Sequence, residues 1–423
     1  MAAVDNKFDE QIEFLSELTS FASTRGSEQS AQVFMADNLL ERGYKTDTWS
    51  IDVNDIAHMP GFSPVIGNYE DAHNVVGTHR SHQQTGKSLI LNGHIDVVPT
   101  GPLEMWDVPP FEPHCDDGWM YGRGAGDMKA GLAANLFALD ALRETGFRPA
   151  ADVIFQSVVE EECTGNGALA CLQRGYRADA AVIPEPFDEK LVTAQIGVIW
   201  LQIHLKGIPV HVLEAGSGAN AIEAAIPLIA ALRQLESRWN ATEHKHSLYE
   251  HIHHPLNLNI GRIEGGDWAS SVPSWCCFDV RMAIYPGQDI NLARAEIETC
   301  ILEAANTDGF LRKNLPEIVY HGFLAEGYAL AHHDKPETVQ AIAALENAHK
   351  VVTGLELEKT PTTATTDARF FGLYADTPVL VYGPNAEAIH GFNERVELES
   401  VRRITQSIAL FIAEWCGLEK IIK

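Results

Sequence analysis

Positive charge is scarce in this chain: 31 Lys and Arg stand against 58 Asp and Glu, a formal net charge of -27. Such a surface repels phosphate backbones and anionic lipid headgroups at long range, which argues against nucleic acid and acidic membranes as partners. Long apolar runs are also missing; none reaches the roughly 20 residues that a bilayer-spanning helix needs. The opening residues, Met1 to Lys7, have neither the basic patch nor the apolar stretch of a secretory signal, so a cytoplasmic location is expected. Seven cysteines (Cys115, Cys163, Cys171, Cys276, Cys277, Cys300, Cys416) form no C-x-x-C pair. Their odd number does not suggest a disulfide framework, and buried free thiols are expected instead. No internal repeat or low-complexity tract is present.

What is there is an ordinary globular composition, 45% hydrophobic and 21% charged, spread over 423 residues. That length exceeds what one hydrophobic core usually serves, so two domains are expected. Helix-period and strand-like segments alternate, which favours an α/β fold. Lys7 to Phe21, Glu28 to Arg42 and Met128 to Leu142 read as helices, the last buried. Asn74 to Gly77, Ser88 to Leu91, Asp152 to Val159 and Ala180 to Ile183 read as strands. From Gly197 the style changes: Ile199, Leu201, Ile203 and Leu205 alternate with Trp200, Gln202, His204 and Lys206, the mark of a sheet with one wet face. A helix (Ala219 to Leu235), two strands (Leu256 to Ile263, Val272 to Met282), another helix (Asp289 to Ala305) and a further strand follow. This describes an α+β unit over residues 197–310, inserted into a discontinuous domain of residues 1–196 and 311–423. Helices Pro336 to Val352 and Leu398 to Trp415 then flank a strand, Pro378 to Tyr382.

Chemistry-bearing residues gather at the ends of the apolar strands. Leu91 to Asp96 ends in His94 and Asp96, whose side chains share a face in extended chain, so Asp96 can orient one imidazole nitrogen and leave the other for a metal. A strand-end His also serves structural roles, and this pair alone decides nothing. Gly122-Arg123-Gly124-Ala125-Gly126-Asp127 places an acid where a dinucleotide fingerprint needs its third glycine. A turn delivering Asp127 to a helix start, as metal bridge or as plain cap, suits it better. Glu160, Glu161 and Glu162 follow an apolar strand at the edge where α/β proteins place ligand sites, so Glu161 and Glu162 can divide metal binding and proton handling. Glu185 and His390 add a further carboxylate and imidazole, completing an O/N donor set suited to a zinc pair.

These motifs, with Val97-Val98-Pro99, Trp106, Met128-Lys129-Ala130-Gly131, Pro184-Glu185-Pro186 and Gly383-Pro384, closely resemble the peptidase M20 metallohydrolases over nearly the whole chain. The resemblance implies a zinc-hydrolase catalytic domain, a mixed sheet flanked by helices, carrying an inserted α+β lid that also serves dimerisation. It implies two zinc ions, with cobalt able to substitute: His94 and Glu185 on one, Glu162 and His390 on the other, and Asp127 bridging. Asp96 then orients His94, Glu161 is the general base, and the Asp127–Met128 bond is cis. His211 corresponds to a histidine that faces the developing oxyanion, often from the partner subunit. Here Val210 and Val212 replace the usual small residue and serine around it. Arg281, Asn220, Thr365 and Arg369 resemble substrate contacts, although Arg281 also suits a structural ion pair and Asn220 a helix cap.

The resulting expectation is a homodimeric two-zinc amidohydrolase acting on a small N-acyl amino acid, in the manner of acetylornithine deacetylase. Dipeptidase or carboxypeptidase action and deformylation of an N-formyl-aminopyrimidine are alternatives, because one scaffold serves many amides. A metal-free scaffold and a nucleotide-binding oxidoreductase are the readings from other classes. The complete ligand set argues against the first, and the broken glycine fingerprint against the second.

Overall fold

The strands Leu89–His94 and Val153–Val158 are buried at every position, as continuous apolar strands are when both faces of a parallel pair are covered. In this computed structural model, which describes residues 1–330 and 335–421, they form the middle of a six-stranded mixed sheet. Leu89–His94 also pairs in parallel with Ala180–Ile183, and that strand with Val379–Val381. On the other flank His73–His79 runs antiparallel to Val153–Val158 and carries the edge strand Lys45–Ser50. The helix Ala130–Glu144 is buried from Ala130 to Leu142, since its small Ala faces let it approach the sheet closely. Gly93 makes that approach possible: a Cβ there would lie 2.9 Å from Leu132. Leu398–Trp415 packs against this helix and against Pro336–Thr353.

A second hydrophobic core surrounds a four-stranded antiparallel sheet in the order Leu258–Gly265, Trp275–Ile284, Gly197–Lys206, Glu317–Ala325. Ile199, Leu201, Ile203 and Leu205 are buried in it, while Trp200, Gln202 and His204 on the alternate positions are only partly covered. Helices Ala221–Trp239 and Ile290–Thr307 pack on this unit and on each other. Asn220 and Asp289 cap them by accepting from the first-turn amides, as short polar side chains do at helix starts. The fourth strand lies beyond residue 310, where the inserted unit was expected to end, so this sheet runs on to Ala325. It is the further strand expected after the second helix; its residues lack clean alternation because part of its outer face lines a cleft, and the polarity pattern therefore did not fix its position.

The helix expected from Met128 is preceded by a separate turn, Ala125–Lys129, in which Asp127 and Met128 leave helical dihedrals. The Asp127–Met128 peptide is cis. All seven cysteines are free, and five of them are buried. Among the described residues no helix is long and apolar enough to cross a membrane.

Candidate active site

Parallel strands end together, and the loops leaving their carboxyl ends converge. His94 closes one strand and Glu161 and Glu162 follow its neighbour; Glu185 lies two residues past a third, and His390 sits beyond Val381, in the loop between the short strands Ala386–Glu387 and Arg395–Glu397. Asp127 comes from the turn that leads into the buried helix. His94 Nε2 lies 3.2 Å from Asp127 Oδ1, 3.6 Å from Glu185 and 3.8 Å from Glu161. His390 Nε2 lies 3.1 Å from Glu162 and 3.4 Å from Asp127 Oδ2. The two oxygens of Asp127 thus face two different imidazoles, and the donors fall into two lobes around it.

His94, Asp127 and the Glu161–Glu162 pair are held from behind. His94 Nδ1 is bonded to the backbone carbonyl of Asp96 at 2.8 Å, which leaves Nε2 for the cluster. This corrects the expected role of the Asp96 side chain, because its carboxylate lies 3.7 Å from Nδ1. That carboxylate accepts instead from the amides of Glu161 and Glu162 at 3.3 and 3.1 Å. The strand-face argument identified the right residue but could not separate its backbone oxygen from its side chain. Of the three consecutive acids, Glu160 turns away to Arg25 at 2.6 Å, and only Glu161 and Glu162 enter the cluster. Glu394, which the sequence did not single out, accepts from the amides of Gly126 and Asp127 at 3.1 Å each and pairs with buried Arg123. Arg123 in turn donates to the carbonyl of Gly391, next to His390.

Acids and imidazoles crowded in a buried place shift one another's protonation. Burial disfavours charge on His94, yet Glu185, Asp127 and Glu161 outweigh it and raise its pKa well above the ordinary imidazole range. His390 is pushed up to about 11: burial opposes its charge, but Glu162 and Asp127 prevail. Burial and mutual repulsion raise Glu161 and Glu185 well above ordinary carboxylates. Burial likewise raises Asp96, to about 8. Acids crowded in a buried place hold protons for want of positive charge. The donors are all oxygen or imidazole nitrogen. Ligand atoms of His94, Glu161 and Glu185 lie within 4.8 Å of one another, as do those of His94, Asp127 and Glu162. This set fits divalent cations of the zinc type.

The cluster opens into a cleft of about 1080 Å³ between the two cores, lined by Asp127, Glu161, Glu162, Glu185 and His390 on one side. Trp200, Gln202, Asp279, Arg281, His321 and Phe323 form the opposite wall. Of the expected substrate contacts, Arg281 and Thr365 line this cleft. Arg369 does not belong there: it is fully buried, donates to the carbonyls of Thr366 and Thr164, and stacks on Phe370 at 4.1 Å. Its neighbour Thr365 reaches the cleft while Arg369 points into the core, a difference that a loop motif cannot reveal. Asn220 acts as a helix cap, accepting from the amides of Ile222 and Glu223. His211 lies outside this cleft, exposed, with Nδ1 accepting from the amide of Leu213. Arg262, His321 and Trp200 were missed as lining residues, though the wet side of the alternating strand was the signal for Trp200 and Gln202.

Residues 90–414 match the Peptidase family M20/M25/M40. The chain belongs to that family. It is 30% identical over 442 residues to the N-formyl-4-amino-5-aminomethyl-2-methylpyrimidine deformylase of Bacillus subtilis, covering 99% of this chain and 97% of that protein. It is 29% identical over 330 residues to the succinyl-diaminopimelate desuccinylase of Cupriavidus taiwanensis, covering 75% and 79% respectively. The fold matches that of the dipeptidase Dug1p from Saccharomyces cerevisiae with a TM-score of 0.78 at 16% identity, over 98% of this chain and 97% of the other. This M20 protein is a hydrolase of amide bonds, with a His, Asp and Glu cluster suited to divalent metal.

Proposed function

We propose that this protein is a two-zinc amidohydrolase of the cytoplasm that removes a formyl group from an aminomethylpyrimidine. The observation carrying this reading is the end-to-end likeness to the deformylase: its match covers 99% of the chain, against 75% for the desuccinylase. Both activities release a small acid from an amine, so the chemistry at the cluster is common to them.

Zinc ions held by His94, Asp127 and Glu185, and by Glu162, Asp127 and His390, with cobalt able to substitute, would polarise the amide carbonyl and acidify water. Glu161 takes the proton. It is 6% exposed and, as the one acid of the cluster assigned to neither ion, it is free to act as base. Its carboxylate accepts a proton from water as the water oxygen adds to the carbonyl carbon, then returns that proton to the amine nitrogen as the C–N bond breaks. Formate and the free amine leave. Trp200 and Phe323, packed edge to face at 5.2 Å, offer an aromatic wall for a pyrimidine ring. Asp96 keeps the acid pair aimed by holding both of its amides.

Arg281 and Arg262 on the same wall favour a second reading, an N-acyl amino acid as for acetylornithine deacetylase, or a dipeptide, because a guanidinium pairs a carboxylate. The zinc-loaded enzyme offered N-formyl-4-amino-5-aminomethyl-2-methylpyrimidine, N-acetylornithine, N-succinyl-diaminopimelate and dipeptides separates the two. The highest kcat/KM on the formylpyrimidine supports the first reading, and a preference for carboxylate-bearing substrates replaces it with the second.

The same reading makes the protein a homodimer through the second sheet's unit. Leu213, Trp268, Ile226 and Ile263 there are 86%, 73%, 63% and 50% exposed, and Leu258–Gly265 is an edge strand. Exposed apolar side chains beside an open strand edge suit pairing across a two-fold axis. His211, on the same unit, then serves the oxyanion in the partner's cleft.

A further inference from the structure

The segment from Ser23 to Glu28 carries none of the candidate metal ligands and no candidate base, yet it is stitched to the loops that bear them. Ser23 Oγ donates to the carbonyl of Ile95 at 2.7 Å, and the carbonyl of Ser23 accepts from the amide of Val97 at 3.0 Å. Both contacts bracket Asp96, just past His94. Arg25 then reaches the second strand end, with Nε 2.6 Å from Glu160 Oε1. Glu160 is buried, whereas the Arg25 side chain is 30% exposed.

Glu160 is the hinge of the acid loop. Its φ of 69° is rare for a residue with a Cβ. Its carbonyl accepts from the amides of Thr164 and Gly165 at 2.9 and 2.7 Å, closing the loop that contains Glu161 and Glu162. Its second carboxylate oxygen accepts from the hydroxyl of Thr164 at 2.9 Å and the thiol of Cys163 at 3.3 Å. The ion pair with Arg25 therefore joins a loop folded around Glu160 to a segment already fixed to the His94 strand end.

We propose that Arg25 is a positioning residue: through Glu160 it sets the direction in which Glu161 and Glu162 leave their strand, and so aligns the acid pair with His94 and Asp127. The inference rests on the proposed roles of Glu161 as base and Glu162 as metal ligand.

The test uses the full-length protein loaded with cobalt or zinc, comparing Arg25→Met, Arg25→Lys and the double variant Arg25→Met/Glu160→Gln, with Glu161→Gln alongside. Read out are kcat and KM, the cobalt absorption spectrum, zinc affinity by chelator competition, and the melting temperature. Loss of a group that orients metal ligands from behind costs about 10–100-fold in metal affinity or activity. Arg25→Met is expected to lower kcat and zinc affinity within that range, shift the cobalt spectrum and leave KM within a few-fold. Arg25→Lys recovers part of the loss. The double variant, which removes the unpaired buried acid, recovers melting temperature but not kcat or the spectrum. If Arg25→Met lowers only the melting temperature while kcat, zinc affinity and the spectrum stay at wild-type values, the inference is overturned. If the double variant regains full kcat, it is likewise overturned. Substantial turnover by metal-loaded Glu161→Gln would remove the underlying role of the base, a failure distinct from either.

Discussion

Glu394→Ala is expected to be the most damaging single change outside the ligand set. Its carboxylate is 1% exposed, pairs with an Arg123 side chain that is 2% exposed, and accepts from two amides of the Asp127 turn at 3.1 Å each. Removing one member of a buried ion pair costs about 3–5 kcal/mol, because the other charge is left uncompensated. Each amide deprived of its acceptor adds about 1 kcal/mol, for a total near 5–7 kcal/mol. Against a native stability of about 5–15 kcal/mol, that brings the protein close to unfolding. Urea unfolding of the purified variant with the wild type measures the difference, and zinc titration of the folded fraction reports the loosened Asp127. A double variant, Arg123→Met/Glu394→Ala, is expected to be more stable than Glu394→Ala alone, since it removes the stranded guanidinium. A Glu394→Ala protein within 1 kcal/mol of wild type, or a double variant less stable than the single one, would refute this reasoning.

Zinc binding is expected to release protons and to tighten as pH rises. His94 and His390 have pKa values raised by surrounding carboxylates, so they hold protons at neutral pH that a metal must displace. Calorimetric titration in two buffers of different ionisation enthalpy should give different apparent heats; identical heats contradict this. Arg281→Met should raise KM for carboxylate-bearing substrates by tenfold or more, from loss of a charge-assisted bond worth about 1.5–3 kcal/mol, while moving KM for the formylpyrimidine little. Equal effects on both would place Arg281 outside carboxylate recognition. His211→Ala and Glu161→Ala chains, each inactive alone, should regain activity when mixed under subunit exchange. Verified heterodimers without activity would exclude sharing of the site between subunits.

Much of the site was legible because its chemistry sits at strand ends. Apolar runs such as Leu89 to Leu91 and Val153 to Val158 announced central strands, and the polar residues following them had to lie at one edge of the sheet. What the pattern could not supply was the choice between neighbouring atoms. Asp96 orients His94 through its carbonyl, not its carboxylate. Arg369 and Thr365 share a motif but face opposite ways, because the guanidinium finds carbonyl partners in the core. Pairs distant in sequence, such as Arg123 with Glu394 and Arg25 with Glu160, leave no local trace, since nothing in either segment names its partner. The fourth strand of the second sheet was expected, but its place beyond residue 310 was not, because a strand with part of its outer face on a cleft loses the alternation that marks a strand facing water.

The central claim is that Glu161 moves the proton while five other side chains hold two metal ions. Metal analysis and turnover of Glu161→Gln test it together, because the amide keeps the size of the side chain and removes its basicity. The account predicts two zinc ions per chain, as in the wild type, with kcat reduced by at least about 100-fold, the lower range for loss of a general base. A variant that keeps both metals and most of its turnover, or one that loses a metal along with its turnover, would contradict it.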